Sequence, residues 1–505
     1  MKSELTNRIR HLLKQYHIWF FLLILLVGLS VRIVSFGSIP SGANQDEVMA
    51  GIEAKALASY HTDRFGTFMP VMFLAWGEMQ MAVLTSYLAA PIVSVLGLSI
   101  ITLRLPSLIC SIIGLIIVYL FAREIIGKNK ALLIFAFACI CPWHIMQSRW
   151  GLEANLLPHF LMLGVFFLLR AINHHKINYC ISMLFFGLSM YSYGISIYVV
   201  PIMLCLFAAY LFISKRTSIT WIIISLCVYL LIAWPYITCM IINTFHMKTI
   251  SLPFCTIPLF SSSTRGKDIL FFSQDPIRQL LHNGKQILYL IIQKSDGKIY
   301  NQLPKYGTMY LVSIPFILLG LYTSIAEIKK NLGYAFILIF FITGLINGLI
   351  TNDVNVNRAN TVYYPLIFLI GLGMIKCWSW MKDAFYFIPA LYLVCFSLFC
   401  GTYFTTGNRL IGDAFLADFG SAIQYANTLE AHKYYITPDS LNKGSKKTSE
   451  ILTLFYTGSD LNAYMTGEFS EKYNFQDPSE ADVIITRDCS DNAVEFGRFY
   501  VINQR

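Results

Sequence analysis

The stretch Ser41-Gly42-Ala43-Asn44-Gln45-Asp46-Glu47 puts two adjacent carboxylates directly after the first long apolar run. A carboxylate buried beside a bilayer has a raised pKa, which makes it a better base toward a hydroxyl. Asp46 is the candidate base. Glu47, Glu78, Glu153 and Asp353 are candidates for holding a polar ligand on the same face, with Gln80 and Asn155 beside them. Arg64, Arg149, Arg265 and Arg358 are candidates for an anion, since the planar guanidinium donates two parallel hydrogen bonds to a phosphate. Each has a plainer reading. Acids at the start of the pattern Val48 to Leu57 would favour a helix N-terminus, and Glu47 and Glu53 read singly as a solvated face. Each arginine could instead reach lipid headgroups, as Arg32 would near the end of the first apolar run. Trp76, Tyr191, Tyr193 and Tyr198 fit an aromatic belt as well as a binding surface. His159 reads as structural, and no HxxxH or CxxC pair suggests a metal site.

The elements that must position these groups are membrane helices. The chain has 505 residues, 56% hydrophobic and 13% charged, against about 25% charged in a soluble domain. Such a chain cannot cover a water-facing surface and reads as an all-α polytopic membrane protein. Apolar runs at 17–37, 105–122, 131–147, 156–171, 179–194, 197–213, 219–240, 308–324, 333–350, 360–376 and 384–402 give about eleven spans. Residues 80–98 are apolar too, but counting them as a span would put the basic pairs of every later loop outside. With the N-terminus cytoplasmic and 80–98 lying along the outer interface, or dipping in and returning, Arg123/Lys128/Lys130, Arg170/Lys176, Lys215/Arg216, Lys329/Lys330 and Lys376/Lys382 all fall inside. Two long external loops follow, at 38–104 and 241–306, and Asp275-Pro276 in the second signals a helix start.

Charge divides the chain. Residues 1–402 hold 29 Lys/Arg and 14 Asp/Glu, whereas residues 403–505 hold 9 and 14. The tail reads as a small extracytoplasmic α/β domain, with a helix over 413–431 and strands at Tyr434–Ile436, Leu452–Phe455, Asp482–Thr486 and Phe499–Ile502. The basic body reflects cytoplasmic anchoring loops, with no nucleic-acid partner. Of the twelve cysteines only Cys255 and Cys489 look extramembranous, and no spacing suggests a disulfide framework.

The order of these pieces resembles the C-type glycosyltransferases that use polyprenyl-phosphate sugars, the bacterial relatives of protein O-mannosyltransferases and of the aminoarabinose transferase. The matching pieces are Pro40 with Gln45-Asp46-Glu47, Tyr87 to Gly97, Arg104-Leu105-Pro106-Ser107, Ser148-Arg149-Trp150-Gly151-Leu152-Glu153-Ala154-Asn155, and Asn357-Arg358 before Tyr363-Tyr364-Pro365. The resemblance covers about residues 17–376. It implies an external active site under the first loop, a single-sugar polyprenyl-phosphate donor, an extracytoplasmic glycan, protein or lipid acceptor, and Asp46 at the catalytic acid position. Metal use varies in the family. A single Glu153 in place of an Asp-x-Asp pair argues against a required metal while leaving a divalent cation open. The rival readings are a multi-pass transporter or a lipid-linked glycan flippase or ligase. Transporters place ionisable groups near the midplane of symmetry-related halves, whereas these acids cluster at span ends and no internal repeat is visible.

Overall fold

The computed structural model describes residues 15–76, 79–261, 270, 273–381, 387–438 and 446–505. The membrane body is a helical bundle. Its first part runs α1 (His17–Ile33), α2 (Gln45–Tyr60), hairpin strands β1 (Phe73–Ala75) and β2 (Met79–Met81), α3 (Leu84–Leu96), α4 (Ile100–Ile126), α5 (Lys128–Ile140), α6 (Pro142–Gln147) and α7 (Leu157–Asn173). Then come α8 (Asn178–Ser189), α9 (Ser196–Ile213), α10 (Ile219–Thr244), the short pair β3 (Ile250–Ser251) and β4 (Thr256–Ile257), and α11 (Pro276–Ile291). The body closes with α12 (Ile314–Glu327), α13 (Leu332–Ile350), α14 (Tyr363–Met381) and α15 (Phe387–Thr402).

Seven helices among the described residues are long and apolar enough to cross a membrane. Those containing α4, α7, α9, α10, α13, α14 and α15 meet that length, while α1, α3, α8 and α12 are shorter. α3 has 13 residues, which span about 20 Å at 1.5 Å each, less than a hydrocarbon core of about 30 Å. The run expected at 131–147 is two helices, broken where Pro142 opens α6. Asp275 caps α11 by accepting the Arg278 N–H at 3.0 Å.

The tail folds as α16 (Asn408–Ala414), α17 (Ala417–Asn427), β5 (Tyr434–Ile436), α18 (Lys446–Thr457), α19 (Leu461–Thr466), α20 (Glu468–Lys472), β6 (Tyr473–Asn474), β7 (Val483–Thr486), β8 (Ala493–Phe496) and β9 (Phe499–Asn503). Its five strands take the order β6-β5-β7-β9-β8. β5 pairs in parallel with β6 and β7, and β9 pairs antiparallel with β7 and β8. Two expectations are corrected here. Leu452-Thr453-Leu454-Phe455 is helical, within α18, because its buried Ile451, Leu452 and Leu454 continue a helix face. The helix expected over 413–431 is two, since Leu416 takes a left-handed conformation with φ 55°. Cys255 and Cys489 are both free.

One hydrophobic core joins the tail to the first loop. Val48, Met49, Ile52 and Leu57 of α2, with Phe73 and Ala75 of the hairpin, share a cluster with Phe419, Ile423, Tyr434, Leu452, Val483 and Val501. α2 is therefore buried all round rather than amphipathic. Both of its later acids, Glu47 and Glu53, are fully buried.

Candidate active site

The site is built at the N-terminus of α2. Asn44 caps the helix by accepting the Asp46 N–H at 2.9 Å, and Glu47 completes a capping box by accepting the Asn44 N–H at 2.9 Å. Consecutive residues on a helix point about 100° apart, so the two adjacent carboxylates go to different places. Glu47 turns inward. It accepts from Arg104 Nε at 3.1 Å and Nη2 at 2.7 Å, and from the Gly151 N–H at 2.7 Å. Asp46 turns into a cavity of about 750 Å³, where its Oδ1 accepts from Trp76 Nε1 at 3.1 Å.

That cavity lies where the connecting segments meet. Besides Asn44, Gln45 and Asp46, it is lined by Trp76 and Met81 from the hairpin and by Trp150, Leu152 and Glu153 from the turn before α7. Lys298 and Tyr300 come from the second long loop, Asn355, Asn357 and Arg358 from the turn before α14, and Lys446, Lys447 and Thr448 from α18. Glu153 is held by the Ala82 N–H, which donates to its Oε2 at 2.7 Å. Asp296 ties the second loop to the 355–358 turn. It accepts from the Lys298 N–H at 2.9 Å, Asn301 Nδ2 at 2.8 Å and the Val356 N–H at 3.0 Å, so Lys298, Tyr300 and Arg358 share one wall. Arg358 is anchored through Nη1 to the Asn352 carbonyl at 2.6 Å. The Trp150 and Tyr300 rings meet edge-on at 5.4 Å between centroids, giving the cavity an aromatic floor.

Of the predicted site residues, the cavity collects Asp46, Glu153 and Arg358. Glu78 and Arg265 lie outside the described residues. The others have different work. Glu47 is committed to Arg104, both side chains being fully buried. Arg149 does not face an anion. Its guanidinium donates to the carbonyls of Val31, Arg32 and Val34 at 2.8 Å each and to Ile39 at 2.9 Å, closing the C-terminal end of α1. Arg64 is ion-paired with buried Glu53 and donates to the Leu74 carbonyl at 3.0 Å. Burial pushes the Glu53 carboxyl up to about 7, with the Arg64 charge pulling the other way. Asn155 holds its own turn through the Gln147 and Trp150 carbonyls at 3.1 and 3.0 Å. Gln80 sits in β2 opposite Leu74 and is not among the lining residues. Asp353 is 87% exposed, reaches Arg358 at 3.9 Å, and faces a separate hollow with Asp275, Arg278 and His282. Arg32 is no headgroup anchor. It is fully buried and donates to the Gly28 and Cys139 carbonyls at 2.7 and 2.9 Å, with His144 Nδ1 at 3.0 Å. His159 meets the Tyr364 hydroxyl at 2.6 Å.

Sequence reasoning missed Lys298, Tyr300, Asn355, Lys446, Lys447 and Thr448. The lysines of the second loop were a visible signal, whereas nothing around Lys446 stood out from a solvated tail. The donor set does not fit a divalent cation. Two carboxylates face four cationic side chains across the cavity, and among the described residues no group of three His, Cys, Asp or Glu is placed to hold a metal.

Residues 80–241 match the family described as dolichyl-phosphate-mannose-protein mannosyltransferase. No curated protein matches the chain. Among solved structures, ArnT from Cupriavidus metallidurans in the apo state is 10% identical with a TM-score of 0.59, the match covering 97% of this chain and 98% of that one. The same figures hold for ArnT bound to undecaprenyl phosphate. The apo oligosaccharyltransferase of Archaeoglobus fulgidus is 12% identical with a TM-score of 0.53, over 94% of this chain and 70% of that one.

Proposed function

From a chain with the C-type glycosyltransferase fold, resembling the mannosyltransferases and the aminoarabinose transferase, we propose a membrane enzyme that moves one sugar from a polyprenyl-phosphate donor to an extracytoplasmic acceptor. The observation that carries this reading is the cavity that sets Asp46 and Glu153 among Lys298, Arg358, Lys446 and Lys447. A neutral transported solute would need no such cations, whereas a phosphate leaving group does. The ArnT structure with undecaprenyl phosphate supports a lipid phosphate as the donor's anchor.

In this reaction Asp46 takes the proton from an acceptor hydroxyl. The oxygen attacks the anomeric carbon, forming the new glycosidic bond. The bond from that carbon to the phosphate oxygen breaks, and polyprenyl phosphate leaves with the electron pair and inversion of configuration. Trp76 Nε1 fixes one carboxylate oxygen of Asp46 at 3.1 Å, and an ionised carboxylate has about four acceptor positions, enough to accept from the acceptor hydroxyl as well. Arg358 and Lys298 stabilise the departing phosphate. Glu153 and the partly exposed ring of Tyr300 hold the sugar, by hydrogen bonding and by stacking, with buried Trp150 backing Tyr300. No step is routed through a metal. The N-terminus is cytoplasmic in this reading, with the cavity and the tail domain outside.

The deciding experiment incubates the purified chain with a panel of polyprenyl-phosphate sugars and follows donor loss. Asp46→Asn lowers turnover by about 10²–10⁴, the range for a general base. Full activity in Asp46→Asn, or no donor consumed by the wild type, would sink the assignment.

A further inference from the structure

The tail domain contributes to the cavity, and its contribution stands beside the base. Lys447 Nζ donates to the Trp76 carbonyl at 2.8 Å, and the same Trp76 holds Asp46 through its indole. Thr448 Oγ1 lies 3.4 Å from Gln45 Oε1, one residue from Asp46. Lys446, Lys447 and Thr448 all line the cavity. The remaining cations, Lys298 and Arg358, come from different segments, tied together through Asp296 and the 355–358 turn. The cavity thus has two cationic groups on separate supports.

An inverting displacement is in line, so the attacking hydroxyl and the departing phosphate lie on opposite sides of the anomeric carbon. The base must touch the attacking side. Lys447, bonded to a neighbour of the base, and Lys446 beside it on the cavity wall therefore belong to the acceptor. Lys298 and Arg358, with two positive charges between them, already match a phosphate monoester or diester. The lysines of α18 are left for a second anion. Lys447 keeps two further N–H donors when one is spent on Trp76.

We propose that Lys446 and Lys447 bind an anionic group on the acceptor, so that the substrate on the water side is a glycan or related polymer bearing phosphate or carboxylate groups. This rests on the transferase reading given above, and the tail domain becomes the part of the enzyme that selects the acceptor.

The test uses the full chain in lipid nanodiscs and measures binding of four probes: undecaprenyl phosphate, a poly(glycerol phosphate) oligomer, an oligogalacturonate, and a neutral mannan oligomer. The wild type binds at least one of the two anionic oligomers, and the neutral one does not compete. Lys446→Gln combined with Lys447→Gln weakens that oligomer about tenfold or more, the scale expected for losing charge-assisted hydrogen bonds. It leaves undecaprenyl phosphate within about twofold, since that headgroup is held elsewhere. Lys446→Arg with Lys447→Arg retains oligomer binding, which separates loss of charge from loss of fold. Preference between the phosphate and carboxylate oligomers identifies the source of the anion. The proposal is overturned if the Gln pair loses undecaprenyl phosphate in parallel, if the wild type binds neither anionic oligomer, or if the neutral oligomer competes equally. Failure of the wild type to bind undecaprenyl phosphate or consume donor sinks the transferase reading instead, and that result is separable from the others.

Discussion

At the scale of single residues, Asp46 and Glu47 show how two adjacent, chemically equal side chains acquire unlike roles. The helix turns one into the cavity and the other into a fully buried ion pair. Trp76 then fixes the attitude of the Asp46 carboxylate. Trp76→Phe keeps the ring and removes the N–H, so kcat falls about tenfold, the equivalent of one hydrogen bond to a charged group, with the donor KM unchanged. Steady-state kinetics over a donor series measures the split, and an unchanged kcat would remove Trp76 from the positioning of Asp46. The candidacy of Asp46 was legible from its place after the first apolar run. Its partner was not, because Trp76 lies 30 residues away and only the hairpin brings it back.

At the scale of elements, α2 is a buried helix held by one ion pair in its first turn and a second at its middle. Glu47→Gln leaves Arg104 buried without its carboxylate, a loss of about 3–5 kcal/mol, seen as a lowered melting temperature in detergent. Adding Arg104→Met recovers part of that loss, because an apolar side chain carries no uncompensated charge. The Glu53–Arg64 pair sets a pH dependence. The Glu53 carboxyl is raised from its ordinary 4.5 to about 7 by burial, so the folded protein binds a proton that the unfolded chain has released. Stability from this group is present below about pH 4.5 and declines as pH rises through 7. Glu53→Gln cannot ionise, so the difference in melting temperature between wild type and variant changes across that window. A constant difference would show that Glu53 does not titrate there. The pattern 48–57 was readable as a helix, but its burial was not. An alternation of small and apolar residues reads as one-sided until a second surface, here the tail, covers the other face.

At the scale of the whole molecule, the tail and the membrane body are stitched together just before Asp46. The Ala43 N–H donates to the Phe415 carbonyl at 3.1 Å, and the Ser41 N–H to Asn408 Oδ1 at 2.7 Å. Between them Gly42 has φ +74°, and a Cβ there would lie 2.6 Å from the Phe415 oxygen. Gly42→Ala costs about 1–3 kcal/mol in backbone strain and pushes the α2 cap off the tail. The expected result is a drop in both melting temperature and kcat, with donor affinity retained. Wild-type kcat in this variant would show that the junction does not position Asp46. A boundary at residue 403 follows the composition of the chain, but the shared core runs across it.

The sequence by itself determined the membrane class, the helical bundle, most of the tail strands and the candidacy of Asp46, because apolar run length, charge bias and strand periodicity are local properties. It did not separate the arginine that lines the cavity from those that tie the scaffold together. Arg149 and Arg358 look alike along the chain, yet one closes the end of α1 with its donors on carbonyls and the other lines the cavity. Only the tertiary structure decided that, and only it brought Lys446 and Lys447 to the base from some 400 residues away. The reason is physical. A buried guanidinium takes whichever acceptors packing leaves in reach, and which these are depends on contacts between segments far apart in the chain.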